Sequence, residues 1–237
     1  GIVLLCTVYQ LQEFFQSLWI SAVFKILFLL LAFGVVAVGL PGYAAYGLPL
    51  HKNRVILLAP GILIGIVFYL LPFIASVLLG YESVVKVTTL KTAVQQLPWL
   101  LLLTGIPSLA EDILTRGYLF THLKKVSAYC WVIISALVYL LNHLWRLNDG
   151  PAVLSYLFIL GLVLGLTVVL TQSLWVTLGI HWGANLAFEC SSSFIATKTT
   201  VTHNGSTWLL AGSWAVLLLL LLVIKHYRER VRLANVQ

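Results

Sequence analysis

Long apolar runs, separated by short polar or Pro/Gly-bearing breaks, dominate the chain. A helix needs about 20 apolar residues to cross a hydrocarbon core. On that measure the pattern predicts spans at 18–40, 55–80, 97 to about 120, 128–145, 153–170, 174–195 and 208–224. The fold class expected is therefore all-α, a polytopic transmembrane helical bundle of about seven spans with a cavity between helices. Residues 1–17 are interrupted by Gln10, Gln12, Glu13 and Gln16 and read as an interfacial or leading helix. Pro41-Gly42 stops the first span, Pro72 kinks the second, and Gly105 and Pro107 break the third, with a new segment starting at Pro107 and running to about Leu123. Residues 81–91 read as a polar connection. Four units follow: the leading segment 1–17, N-terminal spans 18–96, a core 97–195, and a last span with a basic tail, 196–237.

Composition makes the membrane assignment firm. Of the 237 residues 61% are hydrophobic and 9% charged, with mean hydropathy +1.02, whereas a soluble domain is about 45–50% apolar and about 25% charged. The net charge of +7 sits in short loops and the C-terminal tail, which suits topology signals beside anionic lipid and not nucleic-acid binding. Lys52, Arg54, Lys124, Lys125, Lys225, Arg228, Arg230 and Arg232 fall on one side of a seven-span chain, and Lys86, Lys91, Arg146 and Lys198 on the other. The positive-inside bias then puts the C-terminus in the cytoplasm, in a multi-pass protein of a prokaryotic plasma (inner) membrane. Cys6, Cys130 and Cys190 lie in apolar surroundings without metal-type spacing, so neither a disulfide framework nor a thiolate site is expected.

Against this background a few polar residues stand out. Glu111, Asp112 and Arg116 lie in the third apolar stretch, His143 in the fourth, and His181 and Asn185 in the sixth. Ionisable groups at such depth are costly and usually face a protein interior or wet cavity, so they mark function. Glu111 and His143 are each 16 residues from Ser127. If Ser127 is the tip of a helical hairpin, both lie about 24 Å from it and meet across the pair. His181 and Asn185 are four apart and share a helix face, and Glu189 continues the stripe. For His181 to reach the same level, the uncharged turn 171–173 must be recessed, which would leave a vestibule open to the cytoplasmic side. Asp112 and Arg116, also four apart, form a favourable helix pair that leaves Glu111 about 100° away and free for chemistry.

A buried glutamate can take a proton from water, a neighbouring histidine can hold that water, and a histidine with an asparagine can donate to a developing oxyanion. These groups suit hydrolysis of a peptide bond in a membrane cavity. Glu and two His could instead ligate zinc with water in the fourth position, but no H-E-x-x-H motif supports it. Two other classes compete: a non-catalytic, bacteriocin-immunity-type binding protein, and a proton-coupled transporter. The His181/Asn185 pair favours hydrolysis, and no repeat symmetry of the transporter kind is visible.

At these residues the chain resembles the CPBP family of intramembrane proteases, which includes CAAX prenyl endopeptidases and bacterial abortive-infection and bacteriocin-processing relatives. Glu111-Asp112-Ile113-Leu114-Thr115-Arg116 fits its paired acids, three variable residues and Arg, with Asp in the second acidic place. Tyr139 to His143 fits its aromatic, three residues and His, with Tyr for Phe. His181 to Asn185 fits its His, three residues and Asn. The resemblance implies a glutamate-type protease without a resident cofactor. In it Glu111 and His143 activate water, His181 and Asn185 form the oxyanion hole, Asp112 and Arg116 support Glu111, and Tyr139 is a further supporting residue. The partners implied are a membrane-associated peptide or protein substrate and the bilayer.

Trp145, Trp182 and Glu189 are candidates for the cavity wall. His51, His122, His203 and His226 lie at or beyond span ends and read as interfacial. Gly161-Leu162-Val163-Leu164-Gly165 is a small-xxx-small pattern that lets two helices approach closely.

Overall fold

A computed structural model describes residues 7–9, 18–39, 43–200 and 204–234. The expectations for Pro41-Gly42, His203, Cys6 and most of residues 1–17 fall outside them. The structure is 83% helical. Its main helices are α1 (Leu18–Gly39), α2 (Leu58–Leu78), α3 (Leu90–Asp112), α4 (Ala128–Leu141), α5 (Pro151–Thr171), α6 (Leu174–Phe194) and α7 (Gly205–Ala234). Each coincides with one apolar run of the sequence.

Length and composition qualify only four helical stretches for crossing a membrane: Lys52–Leu78, Leu90–His122, Pro151–Thr171 and Gly205–Arg232. Among the described residues the count of about seven is thus not confirmed by this measure. Ala22–Val38 and Ala128–Leu141 are apolar but shorter, and α6 is interrupted by His181, Asn185 and Glu189 on its inner stripe.

Local sequence sets the helix ends. Thr89, Ser127 and Ser173 cap α3, α4 and α6, each accepting a backbone N–H of the first turn. Pro151 opens α5 after Gly150, whose φ of 90° suits glycine. The expected restart at Pro107 does not occur. Pro98 and Pro107 both lie inside an uninterrupted α3, and Gly105 serves as a seat: a side chain there would meet the Trp182 indole at 2.9 Å. Past Asp112 the helix widens into a π-helical turn, Ile113–Gly117, before a short last piece, Tyr118–His122.

The tightest helix contact joins α2 to α6. A Cβ on Gly61 or Gly65 would strike the α6 backbone, and one on Gly179 or Gly183 would strike that of α2. Two small-xxx-small patterns thus face one another across the crossing. The α5 pattern works likewise, with Gly161 against Ala136 of α4 and Gly165 against Val132.

Beyond their ends α2 and α6 continue into a two-stranded antiparallel ribbon, β1 (Glu82–Val87) and β2 (Ile195–Thr199), with Glu82 opposite Thr199 and Val87 opposite Ile195. The all-α expectation, which made residues 81–91 a connection, missed it. The β-branched run Val84-Val85-Lys86-Val87-Thr88-Thr89 carried the signal.

The opposite face carries the basic loops. Arg54 donates to the Thr171 carbonyl at 2.9 Å and Arg228 to that of Leu170 at 3.1 Å. Thr121 donates to the carbonyl of Ala45 at 2.7 Å, so the loop carrying Lys124 and Lys125 lies on this face too. Ser173 is fully buried, because residues 47–49 lie over the turn: Leu174 N–H donates to Gly47 at 2.6 Å and the Trp175 indole to Pro49 at 2.9 Å. This loop covers one side of the turn, where Ser173 is buried, while Gln172 stays exposed.

Candidate active site

Three helices bring the polar residues together. The end of α3 supplies Glu111 and Asp112, α6 supplies His181 and Asn185, and the chain just past α4 supplies His143. Glu111 stands between two imidazoles, with Oε1 3.8 Å from Nδ1 of His143 and Oε2 3.7 Å from Nε2 of His181. Its side chain is 4% exposed, and Oε1 has no hydrogen-bond partner among the described residues.

The second acid plays a different part from the one expected. Asp112 Oδ1 accepts from Arg116 and lies 3.2 Å from Nδ1 of His181. Asp112 thus pairs with both Arg116 and His181, and among the described residues no ion pair joins Arg116 to Glu111. The two acids, about 100° apart on their helix, still reach one residue because its ring presents Nδ1 to one and Nε2 to the other. A carboxylate only accepts, so the Asp112 contact puts a proton on Nδ1. Arg116 is fully buried, also bonds the Thr115 hydroxyl at 2.9 Å, and lies 4.8 Å from the centre of the Tyr139 ring.

Tyr139 is the common wall. Its ring packs 4.7 Å from that of His143 and edge-on to that of His181 at 5.7 Å. Nδ1 of His143 lies 2.8 Å from the Tyr139 carbonyl; since a carbonyl accepts, this nitrogen donates and Nε2 is left free. Asn185 donates from Nδ2 to the hydroxyl of Ser108 at 3.0 Å, and Ser108 donates to the Thr104 carbonyl at 2.7 Å. Ser108 was missed in the sequence, although it stands three residues before Glu111 and so shares its side of α3. Thr115 and Ser135 tie the π turn to α4: the Ser135 hydroxyl donates to the Thr115 carbonyl at 3.0 Å.

Glu111, Tyr139, His143, His181 and Asn185 line one cavity of about 480 Å³, which extends to Glu82, Thr197 and Ser206 at the ribbon. Glu189 lines it as well. Trp182 and Trp145 are not among the lining residues. The Trp182 indole is drawn to α3, donating to the Thr104 hydroxyl at 3.1 Å. Trp145 packs on His143 at 5.2 Å and on Tyr9 at 5.5 Å, behind the imidazole. His51 and His226 are exposed, as is His122, whose ring stacks on Tyr118 at 4.0 Å. Among the described residues no three His, Cys, Asp or Glu side chains are grouped as a metal ion requires.

No curated protein matches the chain, and no solved structure does. A protein-family model does match, over residues 93–187, a stretch that contains all three motifs and every residue that meets at Glu111. Over that segment the chain is similar to the family described as type II CAAX prenyl endopeptidase Rce1-like, in keeping with its resemblance to CPBP intramembrane proteases.

Proposed function

We propose that the protein is an intramembrane endopeptidase that hydrolyses a peptide bond of a membrane-associated peptide or protein by glutamate-activated water. The observation that carries this reading is Glu111 itself: a nearly buried carboxylate with one unpartnered oxygen, on a cavity wall, flanked by two imidazoles. A carboxylate with one oxygen left unpartnered on a cavity wall is poised to accept a proton from whatever small polar molecule fills the gap.

In this reading the attacking water binds at the unpartnered Oε1 of Glu111, beside His143. Glu111 takes its proton as the oxygen attacks the scissile carbonyl carbon. The oxyanion that forms accepts from Nε2 of His181 and from the second N–H of Asn185, the first being engaged by Ser108. Because Nδ1 of His181 is given to Asp112, donation from Nε2 requires the imidazolium, whose charge Asp112 balances. The proton held by Glu111 then passes to the leaving nitrogen, the C–N bond breaks, and the carboxylate is restored. Tyr139 fixes the orientation of both rings by packing. No metal takes part; a strong chelator is expected to leave cleavage unchanged, and loss restored by zinc would contradict this.

In the same reading all seven main helices belong to the membrane domain, the shorter ones leaning or reaching only part-way. The basic face is cytoplasmic, the C-terminus with it, and the ribbon face is outside, in a prokaryotic plasma membrane. The test is to incubate the protein with membrane vesicles of its expression host and to compare new peptide termini by mass spectrometry. Termini made by the wild type and absent with Glu111→Ala support the reading; identical sets from both proteins overturn it.

A further inference from the structure

The cavity is uneven in charge along its length. From the level of Glu111 and His181 it follows one stripe of α6 past Asn185 and Glu189 to Ser192 at the ribbon end. Positions i, i+4 and i+8 share a helix face, so Glu189 stands about 12 Å beyond His181 along the axis. Glu189 is half-buried. Ion pairs among the described residues engage Glu111, Asp112, Asp149 and Glu229, and none reaches Glu189. Its backbone carbonyl accepts from the Ser192 hydroxyl at 3.2 Å, and no side-chain hydrogen bond reaches its carboxylate among the described residues. Of the two cations that line the cavity, Arg146 is held by Asp149 at 2.8 Å and the Tyr156 hydroxyl at 2.6 Å, and Lys25 makes no ion pair with any described carboxylate.

A half-buried carboxylate on a cavity wall, without an ion-pair partner among the described residues, is costly to keep. The same cavity receives the unpartnered, nearly buried Oε1 of Glu111. One carboxylate therefore faces the reacting bond and another faces the substrate further along the groove. We propose that Glu189 is a substrate-reading residue that takes a lysine or arginine side chain of the peptide. The inference rests on the endopeptidase reading above and adds a register to it. An extended chain advances about 3.3 Å per residue. The cation then lies two to four residues from the bond addressed by Glu111, His181 and Asn185.

The test uses the full chain in detergent micelles and a series of apolar, internally quenched ten-residue peptides. Each carries one lysine, moved stepwise along the sequence, with glutamine and glutamate counterparts; products are read by mass spectrometry. The wild type is expected to cut at a fixed two to four residues from the lysine, with kcat/KM about tenfold above the glutamine peptide. Glu189→Gln levels the two, and Glu189→Lys turns the preference toward the glutamate peptide, both with unchanged thermal unfolding. Equal kcat/KM for the lysine and glutamine peptides in the wild type overturns the proposal alone, as does a preference that survives in Glu189→Gln. No cleavage of any peptide, or undiminished cleavage by Glu111→Ala, overturns the endopeptidase reading and this proposal with it.

Discussion

Asp112 Oδ1 lies 3.2 Å from Nδ1 of His181, on a helix 69 positions later in the chain, and holds Arg116 at the same time. One buried carboxylate thus faces both the Nδ1–H of an imidazole and a guanidinium. Asp112→Asn keeps the shape but removes the negative charge that balances the His181 imidazolium in the proposed mechanism. The expected result is a fall in kcat of about 100-fold or more, as when an orienting acid is replaced by its amide, with little change in KM. A shifted pH–rate profile in Asp112→Asn, and partial recovery in Asp112→Glu, would separate this positioning role from a purely structural one.

Asn185 is tethered to Ser108 by one of its two amide hydrogens, leaving the other for the oxyanion. Asn185→Ala is expected to lower kcat by about 10²–10³-fold, the usual loss for one oxyanion donor. Ser108→Ala, which only releases the tether, is expected to cost less. Steady-state kinetics on one peptide would check both. A larger loss in Ser108→Ala than in Asn185→Ala would count against the assignment.

The α2–α6 crossing holds His181 from behind, since Gly179 and Gly183 flank it on the side facing α2. Gly183→Ala forces a methyl onto the backbone of Ile62 and is expected to destabilise by about 1–3 kcal/mol, as overpacking does. Gly34 and Gly212 have open space around them, so Ala there is expected to leave thermal unfolding in detergent within experimental error. Equal behaviour of the three variants would remove the crossing from the account.

What could be read from the chain before its fold was known divides along a physical line. Glu111 and His143 are near neighbours across a hairpin, and equal offsets from Ser127 suffice to place them side by side. His181 and Asn185 share a face by helical period alone. The pairing of Asp112 with His181 was hidden, because it depends on how far α6 is drawn toward α3, and that is set by four glycines distributed over two distant segments. The loop over Ser173 was hidden for the same reason: residues 47–49 carry no polar signal that points to the turn they cover. The ribbon was legible in its β-branched run but was outweighed by the helical pattern around it. The span count exceeds the four long apolar helices of the structure, because an apolar run says nothing about how much of a helix lies against protein instead of lipid.

The two faces differ in charge, with eight cations on the basic face and four on the ribbon face. In a cysteine-free background, Lys198→Cys is expected to react with an impermeant maleimide on intact cells, and Arg54→Cys only after permeabilisation. The reverse pattern would invert the orientation while leaving the site unchanged.

The most direct measurement is kcat for cleavage of a single peptide by Glu111→Gln set against the wild type, both shown to be folded by thermal unfolding. The account predicts a loss of about 10²–10⁴-fold, the contribution of a positioned general base, because the amide has no basic oxygen to take the proton of water. A Glu111→Gln protein that turns over at the wild-type rate would contradict it.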